Sequence, residues 1–190
     1  MATIKNISDY IYQKSNIKNT LIFLGMFAVL NLLILPFFMD KIGTDKKLLD
    51  LMFGFSAETA YKTISSLGQD SRIWYAWFLA TADMIYPLVY SIFLSIGISV
   101  NLKNVIDKDS KWRLINLLPA LAFLGDISEN TNILIMLKNY PASIDLSAHF
   151  ASFSGMIKWV AIVISMATIV VGVTMNIARK IKERKKTGNS

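Results

Sequence analysis

Four long stretches of this chain are almost free of charge, and no other feature narrows its fold so far. Thr20 to Met39 holds 20 residues without a charged side chain, and Ile73 to Val100 holds 28 with a single acid, Asp83. Trp112 to Leu137 is the least apolar, carrying Asp126, Glu129, Asn130 and Asn132, and Phe150 to Ala178 carries one charge, Lys158. About 20 apolar residues in a helix cross a ~30 Å hydrocarbon core. The expected fold is therefore all-α: an integral membrane bundle of four transmembrane helices, with spans 20–39, 73–100, 112–137 and 150–178 forming one domain over 20–178. The first stretch is longer than the ~7–15 residue apolar region of a signal peptide, and Pro36-Phe37-Phe38-Met39-Asp40 is no small-residue cleavage site, so a retained span is expected. Pro87 lies inside the second, which predicts a tilted or kinked helix.

Composition closes off other classes. The chain is 54% hydrophobic and 17% charged, where a soluble domain has about 25% charged residues. It has no Cys, which excludes disulfides, thiol catalysis and Cys-based metal sites, and one His, which excludes sites needing several imidazoles. A metal held by His149 with Asp126 and Glu129 is too poor in nitrogen and sulfur to be expected, and no cofactor is expected. No nucleotide loop or nucleic-acid motif is present, so the net charge of +7 needs another explanation.

Charge placement supplies it. With four spans, the N-terminal segment 1–19, the loop between the second and third spans and the tail 179–190 share a side and hold 13 of the 20 basic residues. The other two loops hold six, among them Lys46, and Lys158 is the twentieth. The positive-inside rule puts both termini in the cytoplasm of a plasma-membrane protein, with a basic tail suited to anionic headgroups. Ile4, Ile7 and Ile11 share a helical face, which suggests a short helix in the cytoplasmic interface or else a solvated tail. In the external loop 40–72, Ser56 is placed to cap an amphipathic helix Ala57–Leu67 with Gly68 as its stop, serving as a lid over the bundle or as a tether. Ser91, Ser95 and Ser99, and Ala161, Ser165, Thr168 and Gly172, are small residues at helix-packing spacing. Trp74, Trp77, Trp112 and Trp159 are expected as interfacial anchors.

Depth singles out a site. Counted from the external ends of their spans, Asn31, Asp83, Asp126, Glu129, Asn130 and Lys158 lie 7 to 11 residues deep, roughly 10–17 Å at 1.5 Å per residue. Asp126, Glu129 and Asn130 form one helical face, as do Asp83, Tyr86, Pro87 and Tyr90. Pro87 has no N–H to give the carbonyl of Asp83, so that carbonyl needs a tyrosine, a water or a ligand. Three acids against Lys158 leave −2 in a low-dielectric layer, to be relieved by protonation, a cationic ligand, a metal ion or a water-filled opening. The expected ligand-binding set is Asp83, Tyr86, Tyr90, Asp126, Glu129, Asn130, Lys158 and Asn31, with Asp83 and Glu129 the candidate acid–base pair should a reaction occur.

The motifs D-x-x-Y-P-x-x-Y at Asp83–Tyr90 and D-x-x-E-N at Asp126–Asn130 resemble an arrangement in small four-helix membrane proteins, to which no activity attaches. The architecture is more distantly similar to the EXPERA group of sterol isomerases and sigma-2-type receptors, and this resemblance implies a pocket for amphipathic amines or sterols; D-x-x-E-N and Lys158 depart from that group. Three functions compete. The first is a pocket that binds, or binds and modifies, a lipid or other small amphipathic or cationic ligand. The second is a proton- or cation-coupled transporter working as a homo-oligomer. In the third, a structural or partner-binding subunit, Lys158 pairs with Glu129 or Asp126 and Asp83 bonds Tyr86 or Tyr90.

Overall fold

A computed structural model describes residues 2–43, 45 and 47–187; Lys46 and the end of the basic tail, 188–190, lie outside the described residues. Eight α-helices follow one another with no strand among the described residues: α1 Ala2–Lys14, α2 Ile17–Val29, α3 Leu35–Ile42, α4 Ala57–Ser66, α5 Gln69–Ala80, α6 Ala82–Leu102, α7 Leu118–Asn139 and α8 Asp145–Thr187, with α2 and α3 joined by a π turn, Leu30–Ile34. Three helical runs are long and apolar enough to cross a membrane: Ile17–Ile42, Gln69–Leu102 and Asp145–Arg184.

The irregularities have local causes. Pro36 cannot donate to the carbonyl of Leu32, and the turn just before it widens: the Leu35 N–H reaches the Leu30 carbonyl. Asn31, inside this π turn, donates its side-chain amide to the Phe27 carbonyl at 2.7 Å. The second run does not merely kink at Pro87. It breaks at Thr81 (φ −124°, ψ −83°), six residues earlier. Thr81 Oγ1 caps the outgoing helix by donating to the Trp77 carbonyl at 2.5 Å. The break puts Asp83 in the first turn of α6.

The third expected span begins later than its hydropathy suggests. Residues Lys111–Leu117 form a 3-10 helix and α7 starts at Leu118, with Pro119 in its first turn, where a missing N–H costs nothing. The fourth helix begins five residues before Phe150 and carries the basic residues Arg179 to Arg184 as exposed helical turns. Ser56 caps α4, accepting the Thr59 N–H at 3.1 Å. Gly68 is not the left-handed stop expected of it: α4 ends on an extended Leu67, and Gly68 (φ −63°) is the N-cap of α5.

α7 is the axis of the bundle. Its buried residues, Pro119, Ala122, Asp126, Glu129, Asn130, Ile133 and Met136, recur every three or four positions and pack mainly on α8 and α6. The loop 40–72 is neither a lid alone nor a tether. Leu48 and Leu49 enter the main apolar core with Ile42, Ala60, Ile64, Tyr75, Phe78, Ile133 and Met136. At the other end, where the termini lie, α1 packs through Ser8 and Tyr12, not through its isoleucines; Ile4 and Ile7 point outward. α2 rests on α6, Phe27 stacking with Tyr86 and Phe93 at 5.6 and 6.0 Å between ring centres, and makes little contact with α8.

Candidate functional site

The polar residues of α6, α7 and α8 meet around Lys158. Its Nζ lies 2.5 Å from Glu129 Oε2 and 3.6 Å from Asp126 Oδ1, and donates to the backbone carbonyl of Asp50 at 2.9 Å. Lys158 is 5% exposed, Asp126 3% and Glu129 0%. Such depth is reached because two glycines let α7 and α8 approach. A Cβ on Gly125 would stand 2.9 Å from the Ser154 carbonyl oxygen, and one on Gly155 would overlap the Glu129 carboxylate. Gly155 is thus the floor of the Glu129 site, and Ser128 and Ser154 close the same seam by a 2.8 Å hydroxyl contact.

The carbonyl that Pro87 leaves without a helical donor has found one: the Asn130 side-chain amide donates to the Asp83 carbonyl at 2.7 Å. The tyrosines of α6 reach across helices instead of back to Asp83. Tyr90 OH donates to Asp126 Oδ2 at 2.9 Å and Tyr86 OH to Asn31 Oδ1 at 3.4 Å. Their spacing is that of one helix face, but a phenol oxygen stands far enough from its own backbone to meet the next helix.

A cavity of about 420 Å³ opens beside this layer. Asp50, Asp83, Asp126, Tyr86, Tyr90 and Lys158 line its polar side, together with Asn31. Phe27, Leu35, Met39, Phe93, Leu94, Ile162 and Met166 line the rest, so the first apolar run and α8 face each other across it. Glu129 and Asn130 stand behind the wall. Of the two candidate acid–base groups, Asp83 borders the cavity and Glu129 holds Lys158. Among the described residues no group of three His, Cys, Asp or Glu side chains is arranged to hold a metal ion, and His149 is exposed.

Two members of the site escape a sequence reading. Asp50 comes from the loop, on the 3-10 turn Leu49–Leu51, and is 4% exposed. It accepts a 2.6 Å hydrogen bond from Tyr75 OH. Its signal is an acid set among Leu48, Leu49 and Leu51, a run too apolar for a solvated loop. Trp159, expected as an interfacial anchor, lines the cavity, its ring 5.3 Å from Lys158 Nζ and its Nε1 buried without a hydrogen-bond partner. Trp77 and Trp112, by contrast, are exposed.

Burial pushes the Asp50 carboxyl above the usual carboxylate range, against the Tyr75 hydrogen bond and the Lys158 charge, which pull it down. A carboxyl raised in this way binds its proton more tightly in the folded chain. Stability therefore falls as pH rises from the unfolded-state value to the raised one, and is flat above it. Asp50→Asn keeps an acceptor for Tyr75 and removes this slope. Unfolding midpoints of both proteins from pH 4 to 9 should show the variant gaining on the parent as pH rises. A constant difference, or one growing toward acid, would contradict a buried, reluctantly ionised Asp50.

Fold and site together define an all-helical protein with three apolar runs of spanning length and a buried layer of carboxylates around one lysine. No protein-family model matches the chain, nor does any curated protein or solved structure.

Proposed function

We propose that this is a multi-pass membrane protein of four spans whose acidic pocket binds a lipid or other small amphipathic ligand by a polar end bearing positive charge or hydrogen-bond donors. The observation that carries the reading is the two-sided cavity. Three carboxyls border one side, the only nearby cation is already engaged by Glu129 and the Asp50 carbonyl among the described residues, and the other side is apolar. Such a combination suits an amphiphile, and the gap between the first apolar run and α8 would open sideways to acyl chains. α7 is the fourth span: its 22 residues extend about 33 Å, its acids turn inward, and Leu121 and Leu124 face out. With the basic residues gathered at the termini end, both termini are cytoplasmic and the pocket lies in the outer half of the bundle.

The test is stabilisation of the protein, reconstituted in phosphatidylcholine nanodiscs, by dodecylamine against dodecanoate of equal chain length. The amine should bind and the carboxylate should not. A charge-assisted hydrogen bond is worth about 1.5–3 kcal/mol, so Asp83→Asn should weaken the amine by roughly 10- to 100-fold. Leu94→Trp, which fills the apolar side, should block it. Equal effects of both probes, or an amine effect intact in both variants, would sink the reading.

A second reading, cation- or proton-coupled transport by an oligomer, is favoured by one observation: the helices are interrupted at Leu30–Ile34 and at Thr81, beside the acidic layer. Interrupted helices at mid-depth recur in transporters. Proton flux in liposomes that Asp83→Asn abolishes would select it.

A further inference from the structure

The termini end carries a second polar feature, independent of the cavity. A groove of about 500 Å³ is lined by Lys5, Lys103, Lys108 and Arg113, with Asp9 and Asp109 the acids on its wall. Lys5 pairs with Asp109 at 3.3 Å, both well exposed. Arg113 is different in kind. It is 8% exposed, its guanidinium lies 3.8 Å from the centre of the Tyr12 ring, and its Nε is buried without a hydrogen-bond partner. Among the described residues no carboxylate lies within ion-pair distance of it. Its place is nonetheless fixed: the Arg113 carbonyl accepts from Ser8 Oγ at 3.3 Å and Tyr12 OH at 3.4 Å, and Asn116 ties the same turn to Ser8 and Ser99.

A buried guanidinium without a counter-charge is costly to keep, and planar donors with open positions match the oxygens of a phosphate. Two exposed lysines beside it add charge without steric closure. The same end of the protein exposes apolar side chains: Ile4 and Ile7 on α1, and Trp112, next to Arg113 in the chain and 74% exposed. Exposed apolar and basic side chains at one end of a helical protein suit a membrane interface, where lipid phosphates lie. We infer that Arg113, Lys103, Lys108 and Lys5 form a phosphate-binding site at the termini end, taking the phosphodiester of an anionic lipid headgroup or a free phosphate.

Native mass spectrometry of the full chain in neutral detergent, with added phosphatidylglycerol, phosphatidylcholine or inorganic phosphate, tests this. Phosphatidylglycerol should bind more tightly than phosphatidylcholine. Each basic residue near an anionic group is worth about fivefold in binding, so Lys103→Gln with Lys108→Gln should weaken phosphatidylglycerol roughly 25-fold and leave phosphatidylcholine unchanged. Both lysines are exposed, so the fold should survive. Arg113→Met, which keeps bulk over Tyr12, should abolish the preference. If inorganic phosphate binds and displaces the lipid, the ligand is free phosphate; if only the lipid binds, it is the headgroup. The inference is overturned if neither phosphatidylglycerol nor phosphate binds in preference. It is equally overturned if the preference persists in the lysine variant and is lost in Lys180→Gln with Lys182→Gln on the exposed tail.

Discussion

Replacing Lys158 by methionine should destabilise the fold by about 3–5 kcal/mol, the cost of breaking a buried ion pair from one side. Lys158 Nζ is 2.5 Å from Glu129 and 3.6 Å from Asp126, and it supplies the donor for the Asp50 carbonyl. Methionine fills the volume but leaves Glu129 and the Asp50 carbonyl without a partner, and Asp126 with the Tyr90 hydroxyl alone. Glu129→Gln should cost less, because Lys158 keeps Asp126 and the Asp50 carbonyl. Combined with Glu129→Gln, Lys158→Met should cost far less than it does alone, since the carboxylate it strands is gone. Equilibrium unfolding in mixed detergent micelles reads all four proteins of this cycle. A Lys158→Met protein within about 0.5 kcal/mol of the parent, as surface substitutions usually are, would mean that the pair is not formed.

The second large effect comes from a single methyl group. Gly155→Ala should cost about 3 kcal/mol, since a Cβ there overlaps the Glu129 carboxylate and must either part α7 from α8 or displace the ion pair. Gly25→Ala makes the opposite prediction. Nothing lies within 4 Å of a Cβ at that position, so alanine should gain up to about 1 kcal/mol from helix propensity. The steric origin is separable from general helix damage: in a Glu129→Ala background, Gly155→Ala should add less than about 1 kcal/mol. An additive pair of costs would show that Gly155 acts elsewhere than at Glu129.

How far the sequence reaches depends on whether a property is carried by one helix or by two. Periodicity within a helix reads directly. The inward face of α7, with Asp126, Glu129 and Asn130 together, follows from spacing alone, and so does the orphan carbonyl that Pro87 creates at Asp83. Partners across helices do not read so well. Tyr90 turns to Asp126 and Tyr86 to Asn31, because the reach of a phenol is decided by which helix lies beside it. The break at Thr81 is hidden because Pro87 is the more conspicuous residue, and nothing about threonine requires a break. Asp50 is missed for a different reason: a hydropathy reading puts every residue of 40–72 outside the polar layer, while the 3-10 turn Leu49–Leu51 folds back into the core. The Arg113 cluster is missed because its members come from α1, the segment after α6 and the 3-10 helix before α7, up to 108 positions apart.

The contact between Lys158 and the Asp50 carbonyl bears on the order in which the chain is assembled. It joins residues 108 positions apart, so the loop is synthesised long before the side chain that anchors it. At 5–20 residues per second, roughly 5 to 20 s separate the two. Throughout that interval the Leu48–Leu51 turn has no seat against α8, and Asp126 and Glu129, made 32 and 29 residues before Lys158, have no lysine until it emerges. α8 is therefore the helix that locks the 40–72 segment and neutralises the acids made before it. A ribosome stalled ahead of Lys158 would hold a chain whose polar layer is still open, the stage at which a chaperone would have most to shield.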